Sequence, residues 1–130
     1  MQSQILVVDD EKEITMLLTA ALRMYKLEVV RFDNPVTALE RITKEPYGLI
    51  VTDIVMPQMS GLDLVTKVRE TDLNRGTPIL VLSAKVLDDA ERRQIFDHKC
   101  QYVKKPFVPR EIIDIIRKTL VNEKKTTSVS

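Results

Sequence analysis

The stretch "ILVVDDEKE" (residues 5–13) decides how this chain is organised. Its first four residues are apolar without interruption, as in a strand that other elements cover on both faces. The strand then runs directly into the carboxylates of Asp9, Asp10 and Glu11. Burial and mutual repulsion both oppose the ionised form of neighbouring carboxylates. The stretch therefore predicts a buried strand whose end carries acids that are tolerable only if something positive lies among them.

Apolar runs like this one recur along the chain, with segments of helical periodicity between them. Strands are predicted at 5–8, 27–32, 48–53, 78–84 and 101–106, and helices at about 12–25, 35–44, 61–70, 88–97 and 109–121. Asn34, followed by Pro35, is a candidate N-cap for the second helix. Strict alternation of strands and helices predicts an α/β fold, in which a parallel sheet carries helices on both faces.

The composition is that of an ordinary globular domain. The chain has 130 residues, of which 44% are hydrophobic and 30% charged, enough for one domain with a buried core. Its 20 basic and 19 acidic side chains give a net charge of +1, which supplies no overall field for attracting nucleic acid or a membrane surface. The single cysteine, Cys100, excludes an internal disulfide. Because there is no signal-peptide pattern and no apolar run of about 20 residues, we expect a cytoplasmic protein without a membrane segment.

Polar side chains stand at the predicted carboxyl ends of four strands. The first strand is followed by Asp9 and Asp10, the third ends in Asp53, the fourth supplies Ser83 and the fifth supplies Lys105. In open α/β sheets, ligands bind at this edge, where the strand order reverses. Three neighbouring carboxylates stay ionised only if a cation sits among them, and Mg²⁺ prefers oxygen ligands. The pattern therefore predicts a magnesium site beside a hydroxyl and an ammonium group.

Each of these residues also has a purely structural interpretation. Asp10 could cap the following helix, Ser83 could be an ordinary hydrogen-bonded hydroxyl, and Lys105 could be a solvated charge. Their joint placement at four strand ends is what favours a functional site.

Four stretches of the chain form a recognisable set: "ILVVDDE" (5–11), "LIVTDIVMPQMSGLDL" (49–64), "PILVLSA" (78–84) and "YVKKPF" (102–107). Together they resemble the receiver (phosphoacceptor) domain of two-component response regulators, over residues 4 to about 121. The second stretch is the most specific, because it combines Asp53 with Met56-Pro57 and Gly61. The resemblance implies a flavodoxin-like (βα)5 fold, a doubly wound parallel sheet with strand order 2-1-3-4-5.

The resemblance also implies a role for each matched side chain. Asp53 would be the nucleophile that takes a phosphoryl group from a phosphohistidine of a partner, either a sensor histidine kinase or a phosphotransfer protein. Lys105 would pair with the phosphoryl oxygens, and Ser83 would hydrogen-bond one of them. Tyr102 would be the switch aromatic, which turns inward when Ser83 moves toward the phosphoryl group.

The metal ligands follow from the same resemblance. Asp10 and Asp53 would bind Mg²⁺ directly, together with the backbone carbonyl of Val55, and Asp9 would act through water. The Lys105–Pro106 peptide bond would be cis, an isomer found in only about 5–6% of such bonds in folded proteins.

At some positions this chain has a residue that is unusual for the family, and at others the residue is expected to affect the lifetime of the phosphorylated form. The family usually has Gly-Ala where this chain has His98 and Lys99. A left-handed helix end at His98 would cost about 1 kcal/mol, and we interpret this single histidine as a helix-end residue. Val55 and Lys85 occupy positions that, in the family this chain resembles, tune the lifetime of the phosphorylated form. Apolar Val55 predicts slow dephosphorylation, because it cannot orient an attacking water molecule.

We therefore interpret the chain as a phosphorylation-dependent signalling switch rather than a turnover enzyme. Phosphorylation would alter the surface from the fourth helix through the fifth strand to the fifth helix, which carries Arg92, Arg93, Lys104 and Arg110. One alternative is a pseudo-receiver, a binding module that is not phosphorylated. A phosphohydrolase with an aspartyl nucleophile is less favoured, because such enzymes carry a D-x-D pair where this chain has adjacent Asp9 and Asp10.

The last residues of the chain are polar and lack periodicity. We predict a receiver domain over residues 1–122 and a polar tail, or the start of a linker, over 123–130. The stretch after Val121 is too short for a DNA-binding domain, so we expect no direct nucleic-acid binding by this segment. The chain is then either a stand-alone receiver or a piece of a larger regulator, with an output domain or a downstream protein as its further partner.

Overall fold

The computed structural model describes residues 4–129 of the chain, with side chains described through Asn122. The strands are β1 (Ile5–Val8), β2 (Val29–Phe32), β3 (Leu49–Asp53), β4 (Ile79–Ser83) and β5 (Gln101–Lys104). The helices are α1 (Lys12–Met24), α2 (Pro35–Lys44), α3 (Gly61–Glu70), α4 (Asp89–Asp97) and α5 (Pro109–Val129). The predicted alternation of strands and helices is confirmed.

The strands form one parallel sheet in the order β2-β1-β3-β4-β5. This is the predicted flavodoxin-like order, and it reverses between β1 and β3, since the chain moves outward from β1 first to one side and then to the other. The register pairs Val8 with Thr52 and Ser83 with Lys104. The carboxyl ends of β1, β3, β4 and β5 are therefore aligned, and the residues that follow them share one edge.

The sheet is buried on both faces, which explains the continuous hydrophobicity of its strands. Successive side chains of a strand point to opposite faces, so β1 contributes Leu6 and Val8 to one cluster and Ile5 and Val7 to the other. Residues of α2, α3 and α4 complete the first cluster, and residues of α1 and α5 complete the second. Helices therefore cover both faces of the sheet behind the edge where the acids lie.

Side-chain caps fix where three of the helices begin. Asn34 accepts hydrogen bonds from the backbone of the first turn of α2, as predicted, and Ser60 does the same for α3. Asp88 and Glu91 form a reciprocal capping box at α4. At α1 the N-cap is Glu11, and no side chain caps the helix. The structural interpretation of Asp10 as a helix cap is therefore wrong.

The helix α4 ends at Asp97, as predicted, but the left-handed residue of the following turn lies one residue later than predicted. His98 is the C-cap with φ −87°, and the left-handed residue is Lys99, with φ 57°. As the C-cap, His98 still donates its amide to the Gln94 carbonyl, so the left-handed turn falls on the next residue. His98 lies beside Thr66, with 3.4 Å between its Nε2 and the threonine hydroxyl, and its carbonyl accepts a hydrogen bond from Arg69. The expected strain at His98 was wrong, but the helix-end position of this histidine is confirmed.

The last helix is longer than predicted. α5 runs to Val129, whereas the sequence pattern predicted an end near Val121. Residues 122–129 contain neither proline nor glycine, so nothing in them interrupts helical backbone hydrogen bonds. A boundary between a receiver domain and a tail at residue 122 stays a prediction.

Candidate functional site

Three aspartates meet at the carboxyl edge of the sheet. Asp9 and Asp10 follow β1, and Asp53 is the last residue of the neighbouring strand β3. One carboxylate oxygen from each lies within 4.8 Å of the others. Asp9 and Asp53 are buried, whereas Asp10 is exposed. The structure thus brings together the three acids that the sequence placed at these strand ends.

Lys105 points into the same cluster. Its side chain is 7% exposed, and its Nζ donates to Asp9 Oδ2 at 2.9 Å and to Asp53 Oδ2 at 3.2 Å. The third acceptor is Glu11 Oε1, at 2.9 Å. The Lys105–Pro106 peptide bond is cis, as predicted. Lys105 is therefore the buried cation that offsets part of the negative charge of the cluster.

The cluster shifts the pKa values of its members. Burial raises the pKa of Asp9 and of Asp53 above the ordinary value of 3.8, although the bonds to Lys105 partly oppose this. Burial by itself would lower the pKa of Lys105, but its hydrogen bonds to Glu11 and Asp9 outweigh burial, and the pKa is raised. One ammonium therefore does not fully compensate the carboxylates, and the site favours a further positive charge.

The aspartates fit a hard divalent cation, which is the fit that the sequence predicted for Mg²⁺. Their oxygens are the ligand type that this ion prefers, and they are close enough together to share one ion. Val55, whose carbonyl was expected to join them, lies in the loop directly after β3 with its side chain 61% exposed. Its position next to the cluster is compatible with that role.

Ser83 and Tyr102 lie on the adjacent strands. Ser83 is fully buried at the end of β4, and its Oγ accepts a hydrogen bond from the Lys85 amide at 3.0 Å. Tyr102, on β5, is half-buried, and its hydroxyl donates to the Ser83 backbone carbonyl at 3.3 Å. The side chain of Lys85 forms an ion pair with Glu91 at the start of α4. Hydrogen bonds and an ion pair thus link the edge of the sheet to α4.

The loop after Asp53 holds the carboxylate of this residue in place. The Ile54 amide donates to Asp53 Oδ1 at 2.7 Å, and the Gly61 amide donates to the Ile54 carbonyl at 2.8 Å. At Gly61 a β-carbon would lie 1.7 Å from the Asp53 carbonyl oxygen, so the first turn of α3 can approach β3 only because this residue lacks a side chain. Gly61 therefore brings the loop back against the end of β3.

Sequence reasoning missed the part played by Glu11. This residue was noted as one of three consecutive acids, but it was not included among the site residues. Its position directly after the two aspartates was the available signal, since the start of α1 lies over the same edge of the sheet. The pattern could not show that its side chain reaches across to Lys105.

In the absence of metal, the buried carboxylate of Asp53 should make the free energy of unfolding depend on pH. Since folding raises the pKa of Asp53, the native state binds a proton more tightly than the unfolded chain. The contribution of Asp53 to the free energy of unfolding then falls as pH rises from about 4 through the raised native value. At neutral pH, Asp53→Asn should be more stable than the wild type by roughly 1 kcal/mol, and the difference should shrink toward pH 4.

Urea unfolding with a chelator present, across this pH range, measures that difference. Asp114→Asn removes an exposed carboxylate of α5 and controls for the loss of one charge. If Asp53→Asn is less stable than the wild type at neutral pH, the buried carboxylate is not destabilising and the prediction is wrong.

Comparison with known proteins identifies the family. The model of the response regulator receiver domain family matches residues 5–117. The transcriptional regulatory protein SrrA of Staphylococcus aureus is 34% identical over 128 residues, which cover 98% of this chain and 52% of SrrA. The chain therefore spans about half the length of the curated relatives it matches.

Solved structures show the same fold. A CheY-like response regulator receiver domain protein from Methanospirillum hungatei JF-1 matches with a TM-score of 0.89 and 24% identity, over 97% of this chain and 99% of that one. The receiver domain of the sensor histidine kinase PA1611 from Pseudomonas aeruginosa PAO1, with a magnesium ion coordinated in its active site cleft, matches with a TM-score of 0.80 and 23% identity, over 92% and 98% of the two chains. Within residues 4–129, no helix combines the length and hydrophobicity needed to cross a membrane. The chain belongs to the response regulator receiver domain family of two-component signalling systems.

Proposed function

We propose that this receiver accepts a phosphoryl group on Asp53 from the phosphohistidine of a partner, a sensor histidine kinase or a phosphotransfer protein, in a reaction that requires Mg²⁺. The observation that carries the proposal is that Asp53 lies close to two further aspartates and forms an ion pair with the buried ammonium of Lys105. Phosphoryl transfer depends mainly on positioning and on compensation of charge, and these side chains supply both.

The transfer is a displacement at phosphorus. A carboxylate oxygen of Asp53 attacks, a P–O bond forms as the P–N bond to histidine breaks, and the bonding electron pair remains on the imidazole nitrogen. Lys105, already 3.2 Å from Asp53 Oδ2, pairs with the negative oxygens of the group being transferred. We assign Asp53 as the nucleophile because it stands at the acceptor position of the family motif, and its carboxylate is held by Lys105 on one oxygen and by the Ile54 amide on the other.

The metal would be held by Asp10, Asp53 and the Val55 carbonyl, with Asp9 acting through water. When bound, Mg²⁺ supplies positive charge that offsets both the carboxylates and the phosphoryl oxygens. Two observations support this assignment: the three aspartates lie together, and burial raises the pKa of Asp9 and Asp53. The magnesium in the active site cleft of the PA1611 receiver domain is consistent with it.

The switch would begin at Ser83. Its Oγ is engaged by the Lys85 amide, so it must give up that bond to reach a phosphoryl group on Asp53. The movement would shift Lys85, whose ion pair with Glu91 connects it to the capping box of α4. Tyr102, whose hydroxyl donates a hydrogen bond to the Ser83 carbonyl, would then turn inward. The signal would thus reach the surface of α4, β5 and α5.

Because the chain spans about half of SrrA, a transcriptional regulatory protein, we propose that this receiver acts with an output domain or with a separate downstream protein. This segment has a net charge of +1 and would not itself bind nucleic acid. We place the protein in the cytoplasm, where the kinase domains of such systems would meet it.

The lifetime of the phosphorylated form should depend on Val55. Its exposed apolar side chain beside Asp53 offers no hydrogen bond to an attacking water molecule. Val55→Asn should shorten the half-life of the phosphorylated protein severalfold, which is less than the roughly 10²-fold or more contributed by a positioned general acid or base. Intact-mass measurements after removal of the phosphodonor give the half-life. An unchanged or longer half-life would rule out this role for Val55.

The proposal is tested by incubating the protein with acetyl phosphate and Mg²⁺ and measuring its intact mass. We expect one added phosphoryl group per chain, which disappears with a chelator or with Asp53→Asn. No addition to the wild type, with beryllofluoride also failing to bind, would favour an unphosphorylated binding module. Continuous turnover of a generic phosphatase substrate would instead favour a phosphohydrolase.

A further inference from the structure

The ammonium of Lys105 is saturated with hydrogen-bond partners before any phosphoryl group arrives. A lysine carries three N–H donors, and the structure gives it three carboxylate acceptors, on Asp9, Glu11 and Asp53. A group approaching Asp53 therefore meets a cation whose donors are all engaged. At least one of these bonds must break if Lys105 is to bind phosphoryl oxygens.

The three bonds are not equally easy to break. The side chains of Asp9 and Asp53 are 3% and 6% exposed, whereas that of Glu11 is 56% exposed. A buried carboxylate that loses its partner is left without compensation, but an exposed carboxylate is solvated by water at once. Esterification would weaken the bond to Asp53, but only after the transfer. The bond that gives way during the approach is therefore the one to Glu11.

Within the described residues, the contact with Lys105 is the only hydrogen bond or ion pair that the Glu11 side chain makes. Glu11 is the N-cap residue of α1, yet its carboxylate does not cap the helix. Its backbone amide donates to Asp9 Oδ1 at 2.9 Å, which fixes the residue over the cluster. Its Oε1 lies 2.9 Å from Lys105 Nζ. The backbone anchors the residue, and the side chain is directed at the cation.

We infer that Glu11 is a positioning residue that occupies Lys105 in the unmodified protein and must be displaced by an incoming phosphoryl group. This inference rests on the proposed function of Asp53. Glu11 competes with phosphoryl ligands for the same ammonium and adds a negative charge at the entrance to the site. It therefore weakens the binding of such ligands and slows phosphorylation by small donors.

The test is a titration with beryllofluoride, which mimics the phosphoryl group, followed by fluorine NMR at saturating Mg²⁺. Glu11→Gln should bind it about threefold to fivefold more tightly than the wild type, the range expected for an ion pair with one exposed partner. Phosphorylation at low acetyl phosphate should accelerate by a similar factor. Glu13→Gln is the matched control, since Glu13 is an exposed acid in the first turn of the same helix.

The outcomes separate this inference from the proposal it rests on. Equal or weaker binding by Glu11→Gln overturns the inference while leaving phosphorylation of Asp53 intact. An equal gain in Glu13→Gln also overturns it, because the effect would then come from net charge rather than from the contact with Lys105. No binding to the wild type, together with no phosphorylation, overturns the proposed function and the inference with it.

Discussion

Replacing Gly61 with alanine is expected to destabilise this protein by about 3 kcal/mol or more. The added β-carbon would lie 1.7 Å from the Asp53 carbonyl oxygen and 2.7 Å from its carbonyl carbon. These are backbone atoms at the end of β3, so no side-chain rotation can relieve the contact. Either α3 must move away from the sheet or the end of β3 must shift. In both cases the hydrogen bond from the Gly61 amide to Ile54 is strained.

Urea unfolding of Gly61→Ala and of Gly76→Ala measures how much stability each variant loses. Gly76 is the matched control, because a β-carbon there meets nothing within 4 Å, and its substitution should change stability by less than about 0.5 kcal/mol. The Gly61 variant should also lose phosphorylation, because the clash is with the backbone of Asp53 itself. Similar unfolding midpoints for the two variants would show that the loop does not approach β3 as closely as described.

Removing Lys105 should have the second large effect. Lys105→Met keeps the apolar stem but leaves the buried carboxylates of Asp9 and Asp53 without their common partner. In metal-free solution at neutral pH, we expect a loss of about 3 kcal/mol, typical of a buried ion pair broken on one side. Adding Asp53→Asn to this variant should restore part of the loss, because it removes one of the uncompensated charges. Mg²⁺ should restore part of it as well.

Chemical unfolding of the single and double variants, with and without Mg²⁺, measures these differences. Lys104→Met is the matched control: it removes the same charge from the neighbouring residue of β5, whose side chain is exposed. If Lys105→Met is as stable as the wild type, or if the double variant is no more stable than the single one, the ammonium does not neutralise the cluster. The electrostatic account of the site would then be wrong.

The sheet and the position of its site could be predicted from the sequence because both follow from simple periodic rules. The runs at 5–8, 49–51 and 78–82 are apolar on every residue, and short uninterrupted runs of this kind are typical of strands covered on both faces. Parallel strands place the residues at their carboxyl ends along one edge, so Asp9, Asp53 and Ser83 had to lie at the same edge of the sheet. The resemblance then supplied the strand order and the role proposed for each residue.

What the sequence could not show depends on contacts between side chains far apart in the chain. Asn74 is fully buried and hydrogen-bonds the backbone of Ile42, Glu45 and Tyr47, yet its local sequence is that of an ordinary polar loop. The reach of Glu11 to Lys105 likewise spans most of the chain and depends on one side-chain rotamer. Such contacts leave no periodic signal, because each is made by a single pair of residues.

Local helix ends were the other source of error. The sequence indicated that a residue near His98 would end α4, but a single residue decides which amide still reaches the preceding turn. The structure gives the left-handed conformation to Lys99 instead. A left-handed conformation costs about 1 kcal/mol at a residue other than glycine, whether at His98 or at Lys99. The two positions therefore differ too little in free energy for a sequence pattern to distinguish them.

The most direct test of the central claim is to locate the phosphoryl group on the chain. The protein is phosphorylated with acetyl phosphate and Mg²⁺, treated with borohydride, which reduces an aspartyl phosphate to homoserine, and digested for peptide mass spectrometry. We expect homoserine at Asp53 and aspartate at Asp9 and Asp10. A phosphoryl group found on His98, or homoserine at either of the other two aspartates with Asp53 unmodified, would contradict the account.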